Sequence, residues 1–137
     1  MLKIPTDRQI LEKIYMNHSD EFCAFTRENK IRSSKIYIPI DFVELAKAMK
    51  TDPDIIFGRL YYYLNNKFGY ENSDGTKVHL FTLMVGNDKN AVNFPLLTSV
   101  LATLRNEDRK HHWSLIFSVL ATVLATISAL VSYIGLP

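Results

Sequence analysis

Two hydrophobic rhythms run along this chain, and they change over near residue 105. Before it, apolar residues come in short stripes separated by polar turns. Residues 105–112 are wholly polar, and from Trp113 on the charged partners vanish. In the first part Ile10, Leu11, Ile14 and Tyr15 recur at helical spacing, with Asp7 where an N-cap belongs, so a helix is predicted from Asp7 to about Met16. Glu28 to Ser34 is polar and reads as a loop. Lys35 to Ile40 then reads as a short strand, which Pro39 confines to a sheet edge or a strand end. Asp41, with Glu44 three residues on, opens a second helix in the manner of a capping box. Asp52 and Pro53 open a third, running to about Phe68 with Phe57, Leu60, Tyr61 and Leu64 inward. Asn72 to Thr76 is a hairpin turn signal, and Lys77 to Val85 is the returning strand. A polar loop, Gly86 to Asn90, follows. Asn93 and Pro95 then open a last amphipathic helix with Leu96, Leu97, Val100, Leu101 and Leu104 inward.

The second rhythm is uniform. Trp113 to Leu136 contains no charged residue, no Asn and no Gln. At about 1.5 Å per residue it makes a helix about 36 Å long, against a hydrocarbon core of about 30 Å. Trp113 and Tyr133, twenty positions apart, place one amphipathic ring at each interface. Arg105, Arg109 and Lys110 precede the span and no charge follows it. The positive-inside bias therefore puts the N-terminal part in the cytoplasm and the span in the cell's inner (plasma) membrane. A secretory signal would be N-terminal and shorter. The expected organisation is a soluble domain over 1–104, a polar juxtamembrane segment over 105–112 and a transmembrane helix over 113–136, with the last soluble helix free to run on into the span.

Within the span, Ser114, Ser118, Ala121, Ala125, Ser128 and Ser132 are spaced 4, 3, 4, 3, 4. Lipid supplies little hydrophobic drive between helices, so small residues that let backbones approach are the natural seam for a homo-oligomer. A 3.5-residue period favours left-handed crossing. Ser and Ala are also common in such spans without forming a seam. Thr122 and Thr126 extend the hydroxyl face, which suits a pore-lining role in a larger assembly, although no ionisable residue supplies charge selectivity.

The layout helix, strand, helix, helix, strand, hairpin turn, strand, helix resembles the winged-helix superfamily. The likeness rests on the helix-turn-helix from Asp41 to Leu64 and the Ser73-Asp74-Gly75 wing, and covers about residues 7 to 104. The chain also resembles small bacterial proteins with this same layout. The resemblance implies an α+β fold, a three-helix core with a β-hairpin wing, and a second helix able to enter a major groove. On that helix the outward face would be Ile55, Gly58, Arg59, Tyr62 and Asn66, with Arg59 and Asn66 able to read bases.

Charge then changes the picture. The chain carries a formal +2, with thirteen basic and twelve acidic residues up to Leu104. That is no footprint for nucleic acid. The candidate reading face holds one cation beside apolar Ile55 and Tyr62, and the wing sets Glu71 and Asp74 against Lys77. A protein partner fits it better than DNA. Arg27, Lys30, Arg32 and Lys35 form the most basic stretch, a candidate contact for DNA or anionic headgroups.

No chemistry of catalysis emerges. Cys23 is the only cysteine, which excludes a disulfide framework and is expected to be a small buried apolar residue. None of His18, His79, His111 and His112 has a carboxylate or Cys partner at ligand spacing, so no metal and no cofactor is expected. His79 is expected to be a structural strand residue, and His111 and His112 to sit at the membrane edge. There is no phosphate loop, serine elbow or HExxH. The sequence thus suggests a non-enzymatic, membrane-anchored interaction module that binds a cytoplasmic protein. A membrane-tethered transcription regulator and a small membrane-permeabilising toxin or phage-defence effector are the alternatives.

Overall fold

Thr6, not Asp7, caps the first helix. Its hydroxyl accepts the Gln9 N–H at 3.2 Å, and the Gln9 side chain accepts the Thr6 N–H at 3.0 Å. This reciprocal box satisfies two donors that the helix cannot. The computed structural model describes residues 1–135 and continues this helix, α1, over Asp7–Ala24. It runs well past the expected Met16. Phe22 lies seven residues beyond Tyr15, and both rings stack on Phe94, at centroid distances of 4.8 and 5.9 Å. The apolar stripe therefore has two more turns. The same geometry corrects the expectation for Cys23. A helix rotates about 100° per residue, so the position after inward-facing Phe22 turns away, and Cys23 is exposed.

The next two helices start as their caps dictate. Asp41 Oδ1 accepts the N–H groups of Val43 and Glu44 at 2.8 and 3.0 Å, opening α2 (Phe42–Met49). Asp52 accepts the Asp54 N–H at 2.9 Å, with Pro53 at the first position of α3 (Pro53–Gly58). The chain then widens into a π-helix over Arg59–Leu64 and closes as α4 (Asn65–Phe68). The wider i→i+5 winding aligns residues four apart. Ile56, Leu60 and Leu64 are accordingly the fully buried stripe. Phe57 and Tyr61, expected fully inward, are half-buried against Phe81.

Two small antiparallel sheets complete an α+β architecture. One pairs β2 (Tyr70–Glu71) with β3 (Lys77–Val78) around the expected Asn72–Thr76 turn. Gly75 takes φ 84 there. The other contains β1 (Tyr37–Pro39), β4 (Phe81–Val85) and β5 (Asp88–Asn93) in the order β1-β5-β4. Pro39 thus sits on an edge strand, where its missing N–H costs no ladder bond.

This arrangement overturns two local expectations. The single strand Lys77–Val85 is divided between the two sheets. Leu80 and Phe81 are both buried, and adjacent buried residues break a period of two, so the chain must turn between them. The expected polar loop Gly86–Asn90 is a two-residue turn, Gly86-Asn87, followed by a strand. Val85 pairs with Asp88 across it, and Gly86 takes φ 58. A Cβ on Gly86 would also lie 2.8 Å from the Ser33 side chain. The Ser33 hydroxyl accepts the Asn87 N–H at 3.2 Å, tying the 28–36 loop to this turn.

Asn93 Oδ1 accepts the Leu96 N–H at 3.1 Å at the start of α5 (Phe94–Ile134). Phe94, Leu97, Val100 and Leu101 are buried with Ile10, Leu11, Ile14, Ile38 and Val92. The chain divides into two units, a head over Met1–Ala102 and a second unit from Thr103 onward. In the second unit, every described residue from Arg105 is exposed. α5 is long and apolar enough to cross a membrane, with a mean hydropathy of 2.3 in its apolar window. Leu136, the last residue of the expected span, lies outside the described residues.

Candidate functional site

The π-helical winding decides which predicted contact residues stand together. Residues four apart share a stripe, so the face expected from an α-helical period splits. Tyr62 and Asn66 fall on one side and Arg59 on another. Arg59 Nε donates to the Asp7 carboxylate of α1, and its guanidinium lies 4.3 Å from the centroid of Tyr63. Lys67 lies on the same ring at 5.4 Å. The stripe Arg59, Tyr63, Lys67 is therefore a cation–aromatic ladder tied to α1, and Arg59 is not a free base-reading side chain. Ile55 is only marginally exposed, at 37%.

Tyr62 is 70% exposed. Gly58, one π-turn earlier, leaves it room: a Cβ there would sit 3.8 Å from the Tyr62 ring. Tyr62 packs edge-on against Tyr61, at 5.0 Å, and Phe57, at 6.3 Å. Behind these rings Phe42, Phe57, Tyr61 and Phe81 form an aromatic cluster that joins α2, the π-helix and β4. Asn65 Oδ1 accepts the Phe81 N–H at 3.1 Å, fixing the helix to that strand. Between them opens a cleft of about 430 Å³ whose walls include Tyr62, Asn66, His79 and Leu83. An adjoining cleft of about 310 Å³ continues over Asn66 and His79 to Tyr70 and Lys77 of the small sheet.

Leu83 and Met84 are exposed at 46% and 56%. Neither was anticipated as part of a contact face. The signal was present in the sequence, because an apolar run Phe81, Leu83, Met84, Val85 leaves one apolar side chain on each face of any strand. His79 is exposed rather than a strand residue, and its carbonyl accepts the Tyr37 hydroxyl at 3.3 Å. Asp74, expected at the tip of a wing, is spent on its own turn. The Thr76 N–H donates to it at 2.9 Å, and the Thr76 backbone and hydroxyl bonds hold its carboxyl below the ordinary carboxylate range. These bonds are present above that range and weaken as pH falls through the lowered pKa.

The basic stretch is also divided. Arg27, Lys30 and Lys35 are exposed. Arg32 is not a contact residue: its side chain is 2% exposed. It donates to the Glu21 and Lys35 carbonyls at 3.2 and 3.1 Å and pairs with the Glu21 carboxylate at 3.4 Å. Its guanidinium covers the Phe25 ring at 4.8 Å. Arg32 thus replaces helix capping at the end of α1 and holds the loop that follows. Among the histidines, His18 does have a carboxylate neighbour, Glu21 at 2.9 Å. That makes a pair, and no group of three potential metal ligands occurs among the described residues.

In the second unit Ser114, Ser118, Ala121, Ala125, Ser128 and Ser132 all lie on α5 and are exposed. The Thr122 hydroxyl donates to the Ser118 carbonyl at 2.9 Å and that of Thr126 to the Val123 carbonyl at 2.8 Å. Both threonines therefore satisfy themselves within the helix, as expected in a medium without water. Comparison with known protein families, curated proteins and solved structures finds no match to this chain.

Proposed function

We propose that this protein is a non-enzymatic, membrane-anchored interaction module, with a winged-helix-like head that binds a protein partner through the Tyr62–Leu83 cleft. The sheet order β1-β5-β4, closing on a helix-turn-helix made by α2 and the Pro53–Phe68 run, supports the winged-helix likeness. In this arrangement the wing is the Gly86-Asn87 hairpin rather than Ser73-Asp74-Gly75. The observation that carries the reading is the composition of the cleft. It joins an exposed tyrosine and an exposed leucine and no Lys or Arg is among its lining residues, while Arg59, on another stripe of the helix, is held by Asp7. A buried-aromatic anchor with few charges is the chemistry of protein contacts, whereas phosphate contacts require several free cations.

The apolar part of α5 supplies the anchor, and Arg105, Arg109 and Lys110 set the head on the cytoplasmic side of the plasma membrane. The small-residue seam supports self-association in lipid. Introducing a photo-crosslinking amino acid at Tyr62 in cells should trap a protein adduct that Leu83→Asp abolishes. The same crosslinker at exposed Asp20 should trap none. Nucleic acid in the Tyr62 adduct, with salt-dependent gel shifts, would instead support the tethered regulator. For the seam, Ala121→Leu, Ala125→Leu and Ser128→Leu together should lower the oligomeric fraction in lipid several-fold by disulfide-free crosslinking. An unchanged oligomer would remove the seam. Normal membrane potential during induced expression would count against a constitutive permeabilising toxin.

A further inference from the structure

A second cleft lies on the head between the start of α1 and the end of α2, and its chemistry differs from that of the Tyr62 face. It measures about 360 Å³ and is lined by Lys3, Pro5, Lys13, Met16, Met49 and Lys50, among others. That volume falls in the usual range for small-molecule sites, about 300–1,000 Å³. The segment before α1 is held there by one backbone bond, from the Lys3 N–H to the Lys50 carbonyl at 3.3 Å. Lys50 itself stands at φ 56, where its N–H closes the last turn of α2 on the Ala46 and Lys47 carbonyls.

Two features give it a polarity. Its lining includes the apolar side chains of Pro5, Met16, Ala48 and Met49, of which Met16 is 66% exposed. Its rim is cationic. No ion pair to Lys3, Lys13 or Lys50 occurs among the described residues. The one acid on the rim, Glu12, is neutralised by Arg8 at 3.2 Å. An apolar lining with three uncompensated ammonium groups fits a ligand with an acyl chain and an anionic head.

We propose that this cleft binds an anionic phospholipid, with the lysines on the phosphate and the acyl chain against Met16 and Met49. The charge complementarity selects an anionic over a neutral lipid. The source is the bilayer that α5 is suited to cross, so the inference rests on the anchored reading of the chain. Tethering would hold the site at high effective lipid concentration, which suits a cleft of modest enclosure.

The test uses the full chain in nanodiscs that contain either a photoactivatable phosphatidylglycerol or a photoactivatable phosphatidylcholine with the same acyl chains. Mass spectrometry then maps the adducts. With phosphatidylglycerol, adducts are expected both in residues 113–135 and in the peptides bearing Met16 and Met49. With phosphatidylcholine, only the span should be labelled. The substitutions Lys3→Glu, Lys13→Glu and Lys50→Glu, at two exposed positions and half-buried Lys13, together should cut cleft labelling about tenfold or more, leaving span labelling unchanged and the head folded by circular dichroism. Label in the span but none at Met16 or Met49 would overturn the cleft proposal alone. Equal cleft labelling by both lipids, or labelling that survives the lysine reversals, would overturn it too. No label in the span would overturn the anchored reading instead. A free photoactivatable fatty acid added to neutral nanodiscs forms a last arm, and cleft labelling by it in preference to phosphatidylglycerol would assign the site to a soluble amphiphile and overturn the phospholipid.

Discussion

Replacing Ala121 and Ala125 together by arginine is expected to release the protein from the membrane fraction. The span from Trp113 to Leu136 holds twelve Leu, Ile, Val and Phe residues. At about −0.3 to −0.6 kcal/mol each near the helix centre, they favour insertion by about 5 kcal/mol. One central arginine costs about 3 kcal/mol, which the span outweighs. Two cost about 6 kcal/mol, which it does not. The double variant should therefore move to the soluble or aggregated fraction after alkaline extraction, while Ala121→Arg alone stays largely with the membrane. If the double variant remains membrane-bound, something other than this helix holds the chain there. Both alanines are exposed on α5, so no loss of packing within the chain competes with the lipid effect.

Leu60→Ala is expected to destabilise the head strongly. Leu60 is 0% exposed and sits between Ile56 and Leu64, each also 0% exposed, in the π-helical stripe. Truncating a leucine at such a site costs about 3 kcal/mol, from lost transfer energy and from the cavity left behind. For a head of this size, that lowers the thermal midpoint by about 12–24 °C. Val43→Ala is the matching control, since Val43 is 67% exposed on α2. Its change should stay within about 0.5 kcal/mol. Thermal unfolding followed by circular dichroism in a mild detergent measures both. A midpoint for Leu60→Ala close to that of the Val43→Ala control would mean that the stripe Ile56, Leu60, Leu64 does not face the core.

The π-helix matters for function as well as for stability. An α-helical period places Arg59 beside Tyr62 and suggests a mixed, base-reading face. The wider winding sends Arg59 to Tyr63 and Asp7 and leaves Tyr62 beside Asn66 and Leu83. No pattern in Arg59-Leu-Tyr-Tyr-Tyr-Leu64 announces this. Leu60, Tyr61 and Leu64 satisfy either period, and the choice between them depends on tertiary contacts such as that of Tyr61 with Phe81 of β4.

The sequence by itself determined whatever depends on near neighbours along the chain. Asp41, Asp52-Pro53 and Asn93 mark helix starts because a cap acts within three residues. The apolar, uncharged run from Trp113 is legible because lipid compatibility is a property of composition and length. Tertiary structure alone decided the rest. β5, the central strand of its sheet, begins Asp88-Lys-Asn90 and looks like a loop, since its polar half lies beyond the core and only Ala91, Val92 and Asn93 are buried. Arg32 reads as a surface cation, yet it is enclosed by Glu21, Phe25 and Lys35, and such a fate depends on partners folding around it. Burial and strand pairing are sums over distant residues, and a local pattern carries no record of them.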